Sequence, residues 1–225
     1  MVEEAIVEFE GQITEPMTIK SLFFDFGNVL AFFDHRKACR KLAEFSNRNF
    51  SGEAIYQELF QLGGLENQYD RGDISSESFI EKIRETFHLS ASEGEIENAW
   101  CDIFSFNHPI TDLLSRLKDN HYPLYLASNT NPLHYHWFKT QYARQLSILD
   151  DEIISFKVGF RKPERGFFNA CLERAGVPAA ECVFIDDKPD FIEAAQKTGM
   201  NGIQFTSSND LVADLEKLGI KTYPY

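Results

Sequence analysis

Three observations predict an α/β fold, a doubly wound parallel sheet with an inserted α-helical domain. The chain has 225 residues, which is enough for one core and an insertion. Apolar residues recur at helical spacing over 35–105, whereas strand and helix patterns alternate from residue 108 onward. Repeated strand–helix units indicate parallel strands joined by right-handed crossovers.

The amino-terminal part contains an acidic extension and the first predicted strand. Residues 1–18 carry five glutamates and are either a frayed segment or an added edge strand. The run Ser21–Phe24 is apolar and ends at the turn Asp25-Phe26-Gly27-Asn28. A continuous apolar run of this length is typical of a strand that is buried on both faces, as in a parallel sheet.

Residues 34–106 are predicted to form the helical insert. Gly63-Gly64 and Arg71-Gly72-Asp73 interrupt the helical pattern, and Ser51 and Ser75 are predicted N-caps. The apolar positions at helical spacing are Ala38, Leu42 and Phe45; Ile55, Leu59 and Leu62; Phe79, Ile80, Ile83 and Phe87; and Ile96, Trp100 and Phe104.

The remaining residues, 19–33 and 107–225, are predicted to form the core. Strands are expected over 123–127, 152–156, 182–185 and 202–205. Helices are expected over 110–118, 133–144, 164–175, 190–199 and 209–218. Each strand is therefore followed by a helix, as a doubly wound sheet requires.

Charge and composition narrow the class of partner. Lys and Arg number 22 against 35 Asp and Glu, and a net charge of −13 argues against nucleic acid or an anionic membrane as partner. No apolar run approaches a membrane span, and no secretory signal is recognisable. The four cysteines are scattered, which is typical of buried thiols. We expect a reduced cytoplasmic protein, a monomer or weak homodimer.

The predicted strand ends carry the residues of chemical interest. Ligands of such sheets bind outside the carboxyl ends of the strands. The groups expected there are Asp25, Ser128, Asn129, Lys162, Asp186 and Asp187. Carboxylate oxygens favour Mg²⁺, an aspartate can attack phosphorus, and a lysine with a hydroxyl can neutralise phosphoryl oxygens. The set predicts a magnesium-assisted reaction on a small phosphorylated metabolite.

Four segments in order resemble the motifs of the haloacid dehalogenase-like hydrolase superfamily. The segments are Asp25–Leu30, Leu126–Asn131, Val158–Glu164 and Phe184–Asp187. The resemblance covers about residues 20–206 and implies a Rossmann-like core. It is nearest to the bacterial α-D-glucose-1-phosphate phosphatases and to the phosphatase domain of soluble epoxide hydrolases. The insert looks like the mobile cap of that superfamily.

The resemblance implies a role for each matching residue. Asp25 would be the nucleophile, with Lys162 stabilising the charge around it. Ser128 and the backbone of Asn129 would hold the phosphoryl group. The implied magnesium ligands are Asp25, the Gly27 carbonyl, Asp187 and Asp186.

Two positions depart from the superfamily pattern. Gly27 stands where most of its phosphatases have a second aspartate that protonates the leaving group. The glucose-1-phosphatase group looks the same here, so the glycine does not predict inactivation. Phe191 replaces a frequent asparagine, and Asp190 beside it either compensates or caps a helix.

Three further residues allow two interpretations each, and a fourth allows one. Asp34 is a helix N-cap or a substitute acid, and His134 is a packing residue or a proton donor. Arg71 binds a substrate hydroxyl or anion, or it pairs with Asp70 and Asp73. Arg161 reads as a solvated flank of Lys162.

These observations predict a Mg²⁺-dependent phosphatase of small phosphorylated metabolites, with sugar phosphates such as glucose 1-phosphate favoured and an aspartyl-phosphate on Asp25. One alternative is a catalytically silent protein that binds a phosphorylated ligand, which Gly27 and Phe191 would fit. Another is a haloacid dehalogenase, but that branch lacks the acidic pair Asp186 and Asp187. The sequence leaves the substrate and the role of residues 1–18 open.

Overall fold

A computed structural model describes residues 18–61 and 63–223. The predicted acidic extension therefore lies outside the described residues, except for Thr18, and so does Leu62. The strands are β1 (Ser21–Phe24), β2 (Ala31–Phe33), β3 (Phe104–Phe106), β4 (Leu124–Ser128), β5 (Asp151–Ile154), β6 (Cys182–Asp186) and β7 (Asn201–Gln204).

The described residues form twelve α-helices, which is more than the sequence pattern predicts. They are α1 (His35–Glu44), α2 (Gly52–Leu59), α3 (Leu65–Arg71), α4 (Ser76–Phe87), α5 (Glu93–Cys101), α6 (His108–Asp119), α7 (Pro132–Gln141), α8 (Ala143–Leu146), α9 (Ser155–Val158), α10 (Arg165–Ala175), α11 (Pro189–Gln196) and α12 (Ser208–Lys217). Among them, none combines the length and hydropathy that a membrane span requires.

Five strands form one parallel sheet in the order β5-β4-β1-β6-β7. The chain leaves the central strand β1 toward β4 on one side and reaches β6 on the other side later. Strand order thus reverses at β1, and a crevice opens at its carboxyl end. The predicted doubly wound parallel sheet is confirmed.

Both faces of the sheet are covered, which explains the unbroken apolar run of β1. Leu22 and Phe24 face a cluster that includes residues of α6, α7 and α12. Phe23 faces the opposite cluster with residues of α10 and α11. A strand that is buried on both sides needs apolar residues at successive positions.

Helices α1 to α5 pack around a third apolar cluster centred on the fully buried Trp100. Ser51 and Ser75 accept backbone N–H bonds at the starts of α2 and α4, as predicted. Asp34 does the same for α1, so its N-cap interpretation is confirmed. The separate cluster gives these helices their own packing, at the carboxyl end of the sheet.

Strands β2 and β3 form an antiparallel pair that joins the helices to the sheet. The boundaries proposed from sequence fall at the ends of these strands, after Phe33 and after Phe106. Phe104 lies in β3 and not on α5, so the predicted extension of that helix is wrong. Apolar residues spaced by four fit a helix, but Asp102 departs from helical geometry and ends it.

Two core elements are shorter than predicted. The helix expected over 133–144 breaks at Tyr142 into α7 and α8. The strand expected over 152–156 ends at Ile154, and Ser155 begins the short helix α9. This early end matters for the site, because α9 supports the insert helix α3.

Candidate active site

Three neighbouring strands bring the predicted polar residues together. Asp25 follows β1, Ser128 is the last residue of β4, and Asp186 is the last residue of β6. Since β1 pairs with both other strands in parallel, their carboxyl ends meet at one edge. All three side chains are buried there.

Lys162 lies at the centre of this group. Its Nζ is 2.8 Å from Asp25 Oδ1, 2.6 Å from Asp186 Oδ2 and 3.0 Å from the carbonyl oxygen of Ala127. Burial alone would lower the pKa of this lysine, but Asp186 and Asp25 outweigh it and raise the pKa above 10.5. Lys162 is therefore a fixed positive charge beside Asp25.

Asp25 is a buried carboxyl in a strongly charged setting. Its Oδ1 accepts the backbone N–H of Phe26 at 2.7 Å. Burial raises the pKa of Asp25 to about 7 although Lys162 pulls it down, and Asp186 and Asp187 add to the rise. One lysine does not offset three carboxyl groups, so this arrangement calls for additional positive charge.

Asp25, Asp186 and Asp187 have oxygen atoms that all lie within 4.8 Å of one another. Asn28, in left-handed backbone geometry with φ of 57°, donates to Asp187 Oδ2 at 2.9 Å and so orients that carboxylate. Burial raises the pKa of Asp187. Closely spaced hard oxygen donors with excess negative charge fit a divalent cation such as Mg²⁺.

The side chain of Asn129 fixes the loop that carries Lys162. Its Oδ1 accepts the backbone N–H of Lys162 at 2.8 Å, and its Nδ2 donates to the Lys162 carbonyl at 3.0 Å. This leaves the backbone of Asn129 for the phosphoryl role predicted from sequence, which stays a prediction. Ser128 stands beside it, with its hydroxyl 3.3 Å from the Asn129 carbonyl.

A cavity of about 300 Å³ opens onto this group. Ser128, Asn129 and Lys162 line one side. Residues of the helical insert line the other side, so the cavity lies between the sheet edge and the insert. Its lining from both parts comprises Phe26, Gly27, Phe33, His35, Glu66, Asp70, Phe104, Ser128, Asn129, Thr130, His134, Arg161, Lys162, Pro163, Lys188 and Phe191.

The insert contributes two buried acids, Glu66 and Asp70, that the sequence did not assign to the site. Both lie on α3, a helix of seven residues with no apolar periodicity. Its signal was the flanking glycines: Gly64 is the N-cap, and Gly72 ends the helix with φ of 85°. A Cβ on Gly72 would lie 2.7 Å from the Phe156 carbonyl oxygen, so this packing against α9 requires glycine.

Arg161 is not the solvated flank that the sequence indicated. Its Nη2 lies 3.2 Å from Asp70 Oδ2 and 3.5 Å from Glu66 Oε1, and its Nη1 donates to the side chain of Asn67. The side chain is only 16% exposed. The two buried acids that pair with Arg161 are 91 and 95 residues away in the chain, so no local sequence pattern reveals these contacts.

Arg71 does not line the cavity. It makes a two-point ion pair with Glu164, one bond of which is 2.7 Å long, and its Nε lies 3.7 Å from Asp73. These contacts favour the pairing interpretation over the substrate contact, because the guanidinium is occupied by a carboxylate of the core. Of the two predicted partners, Asp73 pairs with Arg71, whereas Asp70 pairs with Arg161. The contact of Arg71 with Glu164 is closer than that with Asp73.

His134 is a packing residue with both ring nitrogens engaged. The ring stacks on Trp100 at 4.9 Å, Nε2 lies 3.0 Å from the Trp100 carbonyl, and Nδ1 lies 3.1 Å from Asn131 Nδ2. Burial lowers its pKa to about 4, which keeps the ring neutral near pH 7. These contacts favour its packing interpretation over the proton donor.

The absence of a side chain at Gly27 has a steric reason. A Cβ there would lie 2.6 Å from Cε1 of Phe33, so an acid at this position would displace that ring. Phe191 lines the cavity, with its ring 5.3 Å from Lys162 Nζ. Asp190 is exposed in the first turn of α11, and Lys188 is the N-cap, so Asp190 does not serve as the cap.

Comparisons with known proteins agree with this geometry. A family model described as haloacid dehalogenase-like hydrolase matches residues 19–199. A D-ribitol-5-phosphate phosphatase of Bacteroides thetaiotaomicron is 23% identical over 83% of this chain and 91% of the relative. A sesquiterpene phosphatase of Aspergillus oryzae is 26% identical over 89% of this chain and 97% of the relative.

A solved structure supports the same assignment. It is a haloacid dehalogenase-family enzyme of Bacteroides thetaiotaomicron in complex with magnesium and inorganic phosphate. The TM-score is 0.73 at 28% identity, with 84% of this chain and 94% of that chain covered. The family match spans most of the chain, and the sheet and strand-end residues have the predicted arrangement. The chain is therefore an enzyme that belongs to the haloacid dehalogenase-like hydrolase family.

Proposed function

We propose that this enzyme is a magnesium-dependent phosphatase of small phosphorylated metabolites, with sugar phosphates favoured. The observation that carries the proposal is the position of Lys162, whose ammonium lies between Asp25 and Asp186. A buried nucleophile beside a fixed positive charge is suited to a phosphoryl group. The phosphatases among the relatives support the same activity.

In the proposed reaction, an oxygen of Asp25 attacks phosphorus and forms an aspartyl-phosphate, which water then hydrolyses. Lys162 and the hydroxyl of Ser128 would neutralise charge on the phosphoryl oxygens. Splitting the hydrolysis into two displacements lowers the barrier of each. The Lys162 ammonium and the Ser128 hydroxyl are already held by packing and hydrogen bonds, so they need little reorganisation.

The proposed magnesium ligands are Asp25, Asp186, Asp187 and the Gly27 carbonyl. The mutual proximity of the three carboxylates supports this assignment. When bound, Mg²⁺ screens the repulsion between a phosphate and the nucleophile and binds phosphate oxygens. Asn28 holds Asp187 in place for this purpose.

The cavity wall favours a hydroxylated leaving group. A cavity of about 300 Å³ accommodates a small metabolite. Glu66, Asp70 and Arg161 are polar and buried or nearly so, and hydroxyl groups pair with such side chains better than a terpenyl chain does. We therefore favour a sugar phosphate over a terpenyl phosphate, and glucose 1-phosphate itself stays a prediction.

We further propose that residues 34–106 act as a mobile cap that closes over the substrate. Their separate apolar cluster and the two-strand connection support this division. The four cysteines are free and buried, which fits a reducing cytoplasmic compartment. A monomer or weak homodimer remains our expectation.

The replacement of Asp25 by Asn tests the proposed function. The variant loses the nucleophile, so hydrolysis of p-nitrophenyl phosphate at millimolar Mg²⁺ should fall by at least about a thousandfold. Removal of Mg²⁺ with EDTA should abolish wild-type turnover, and added Mg²⁺ should restore it. The release of p-nitrophenol is the measurement.

Asp112→Asn is the matched control, because Asp112 is exposed on α6 and away from the site. It should retain wild-type activity. A folded wild-type enzyme that hydrolyses no phosphate ester with Mg²⁺ would reject the proposal. Tight binding of a phosphorylated metabolite without turnover would instead favour the silent binding protein.

A further inference from the structure

The proposed reaction needs a proton for the leaving group, and among the described residues the phosphate side of the cavity offers no donor for it. An alkyl phosphate releases an alkoxide unless an acid protonates the departing oxygen. Gly27 has no side chain, and Asp25 is the proposed nucleophile. Lys162 is fixed between two carboxylates that raise its pKa. The acid must therefore come from the opposite wall.

Among the described residues, the opposite wall has few side chains that could protonate the leaving group. Apart from Lys162, the titratable side chains that line the cavity are His35, Glu66, Asp70, His134, Arg161 and Lys188. Burial lowers the pKa of His35 to about 3 and that of His134 to about 4, so both rings are neutral near pH 7. Arginine and lysine side chains hold their protons too firmly to act as acids at that pH.

Glu66 has the properties of a proton donor. Its side chain is 11% exposed and lies against Asp70 and Arg161, with Oε1 3.5 Å from Arg161 Nη2. Burial and the neighbouring Asp70 raise the pKa of Glu66 well above 4.5, against the smaller opposing effects of Arg161 and Lys188. This shift favours the protonated carboxylic acid, and the side chain lines the cavity.

In the arrangement that the structure shows, the packing of α3 sets the position of this acid relative to the phosphate side. The carbonyl of Asp70 accepts the Ser155 hydroxyl at 2.5 Å, and Asn131 donates to Asp70 Oδ1 at 3.1 Å. Arg161, which contacts Glu66, directly precedes Lys162 in the chain. The helix that carries Glu66 is thus held by the same loops that carry Lys162 and follow Ser128.

We propose that Glu66, which lines the insert side of the cavity, is the general acid and base of the reaction. It is a role that rests on the proposed phosphatase function. Asp25 forms a bond to phosphorus, the bond from phosphorus to the leaving oxygen breaks, and that oxygen takes its proton from Glu66. In the second step water attacks phosphorus and gives a proton to the Glu66 carboxylate, and the electron pair of the broken bond returns to Asp25.

The leaving-group dependence of Glu66→Gln tests this role. On a phosphate ester of an aliphatic alcohol, such as glycerol 1-phosphate, kcat/KM should fall by about 100-fold or more. On p-nitrophenyl phosphate the loss should be far smaller, because p-nitrophenolate departs without a proton. The ratio kcat/KM reports the first displacement, so a slower second step does not obscure the comparison.

Glu81→Gln is the matched control, since Glu81 is an exposed glutamate of the insert on α4. It should leave both substrates unaffected. An equal loss on both esters in folded Glu66→Gln would mean that Glu66 binds substrate or supports the fold, and would overturn the proposal. No loss on either ester would overturn it as well.

Asp70→Asn provides a second readout that a structural role would not produce. The variant removes a negative neighbour, so the pKa of Glu66 should fall. A general acid works only when protonated, and kcat/KM for the alkyl ester should therefore begin to decline at a lower pH than in wild type. If the decline of kcat/KM at high pH is not shifted in Asp70→Asn, the result would count against Glu66 as the general acid. If wild type hydrolyses neither ester, the phosphatase function fails first, which is a distinguishable result.

Discussion

Lys162 illustrates how a single residue organises the site. A buried ammonium is costly without partners, and here it has two carboxylates and a carbonyl within 3.0 Å. The side chain of Asn129 forms hydrogen bonds with both the backbone N–H and the carbonyl of Lys162. The lysine therefore keeps its charge and its position, as a group that stabilises a phosphoryl transition state must.

At the same scale, His134 makes the stability of the enzyme depend on pH. Its folded pKa of about 4 is below the usual 6.5, so the unfolded state binds more protons between these values. Stability from this histidine is present above pH 6.5 and is lost as the pH falls toward 4. In His134→Gln, the free energy of unfolding should depend less on pH, by at most about 1.4 kcal/mol per pH unit.

Urea unfolding at a series of pH values from 7.5 to 4.5 measures this difference. The substitution also removes the stacking on Trp100, which shifts the free energy of unfolding at every pH. The diagnostic quantity is therefore the slope of the free energy of unfolding against pH. Parallel curves for wild type and variant would mean that His134 titrates with the same pKa in the folded and unfolded states, and would contradict the lowered pKa.

Among the secondary-structure elements, those with a local signal were predictable. The apolar run of β1 and the serine N-caps of α2 and α4 are visible in their own residues. The ends of β1, β4 and β6 led to Asp25, Ser128 and Asp186. The short helix α3 has flanking glycines but no apolar periodicity, because tertiary contacts with α9 stabilise it. The cavity acids on α3 were missed for that reason.

The contact between α3 and the segment before α10 leads to a prediction about Arg71. Its pair with Glu164 is about one-third exposed on each side, so a stability contribution of only about 0.5 kcal/mol is expected. Because the pair connects the insert to the Lys162 loop, Arg71→Ala, Glu164→Ala and the double variant should lower kcat/KM by the same modest factor. A double-mutant cycle measures the coupling.

Lys217→Ala and Asp214→Ala, which remove an exposed pair on α12, are the control cycle and should not change kcat/KM. A direct contact of Arg71 with substrate would give a different pattern. Glu164→Ala would then leave activity intact or improve it, whereas Arg71→Ala would raise KM on its own.

The whole molecule sets two electrostatic influences against each other. The net charge of −13 repels an anionic substrate at long range, whereas Arg161, Lys162 and Lys188, together with the proposed Mg²⁺, would attract it inside the cavity. The Debye length is about 30 Å at 0.01 M salt and about 8 Å at 0.15 M. At low salt the substrate is therefore affected by the charge of the entire surface. At physiological salt mainly the charges of the cavity act on it.

It follows that added salt should speed the capture of a phosphate ester. Between 10 and 150 mM KCl at constant Mg²⁺, kcat/KM should rise by about twofold or more. Replacing the five glutamates of residues 1–18 by glutamine lowers the negative charge and should weaken this dependence. A steep fall of kcat/KM over the same range would mean instead that the cavity cations dominate at every distance, and that the acidic surface does not oppose the substrate.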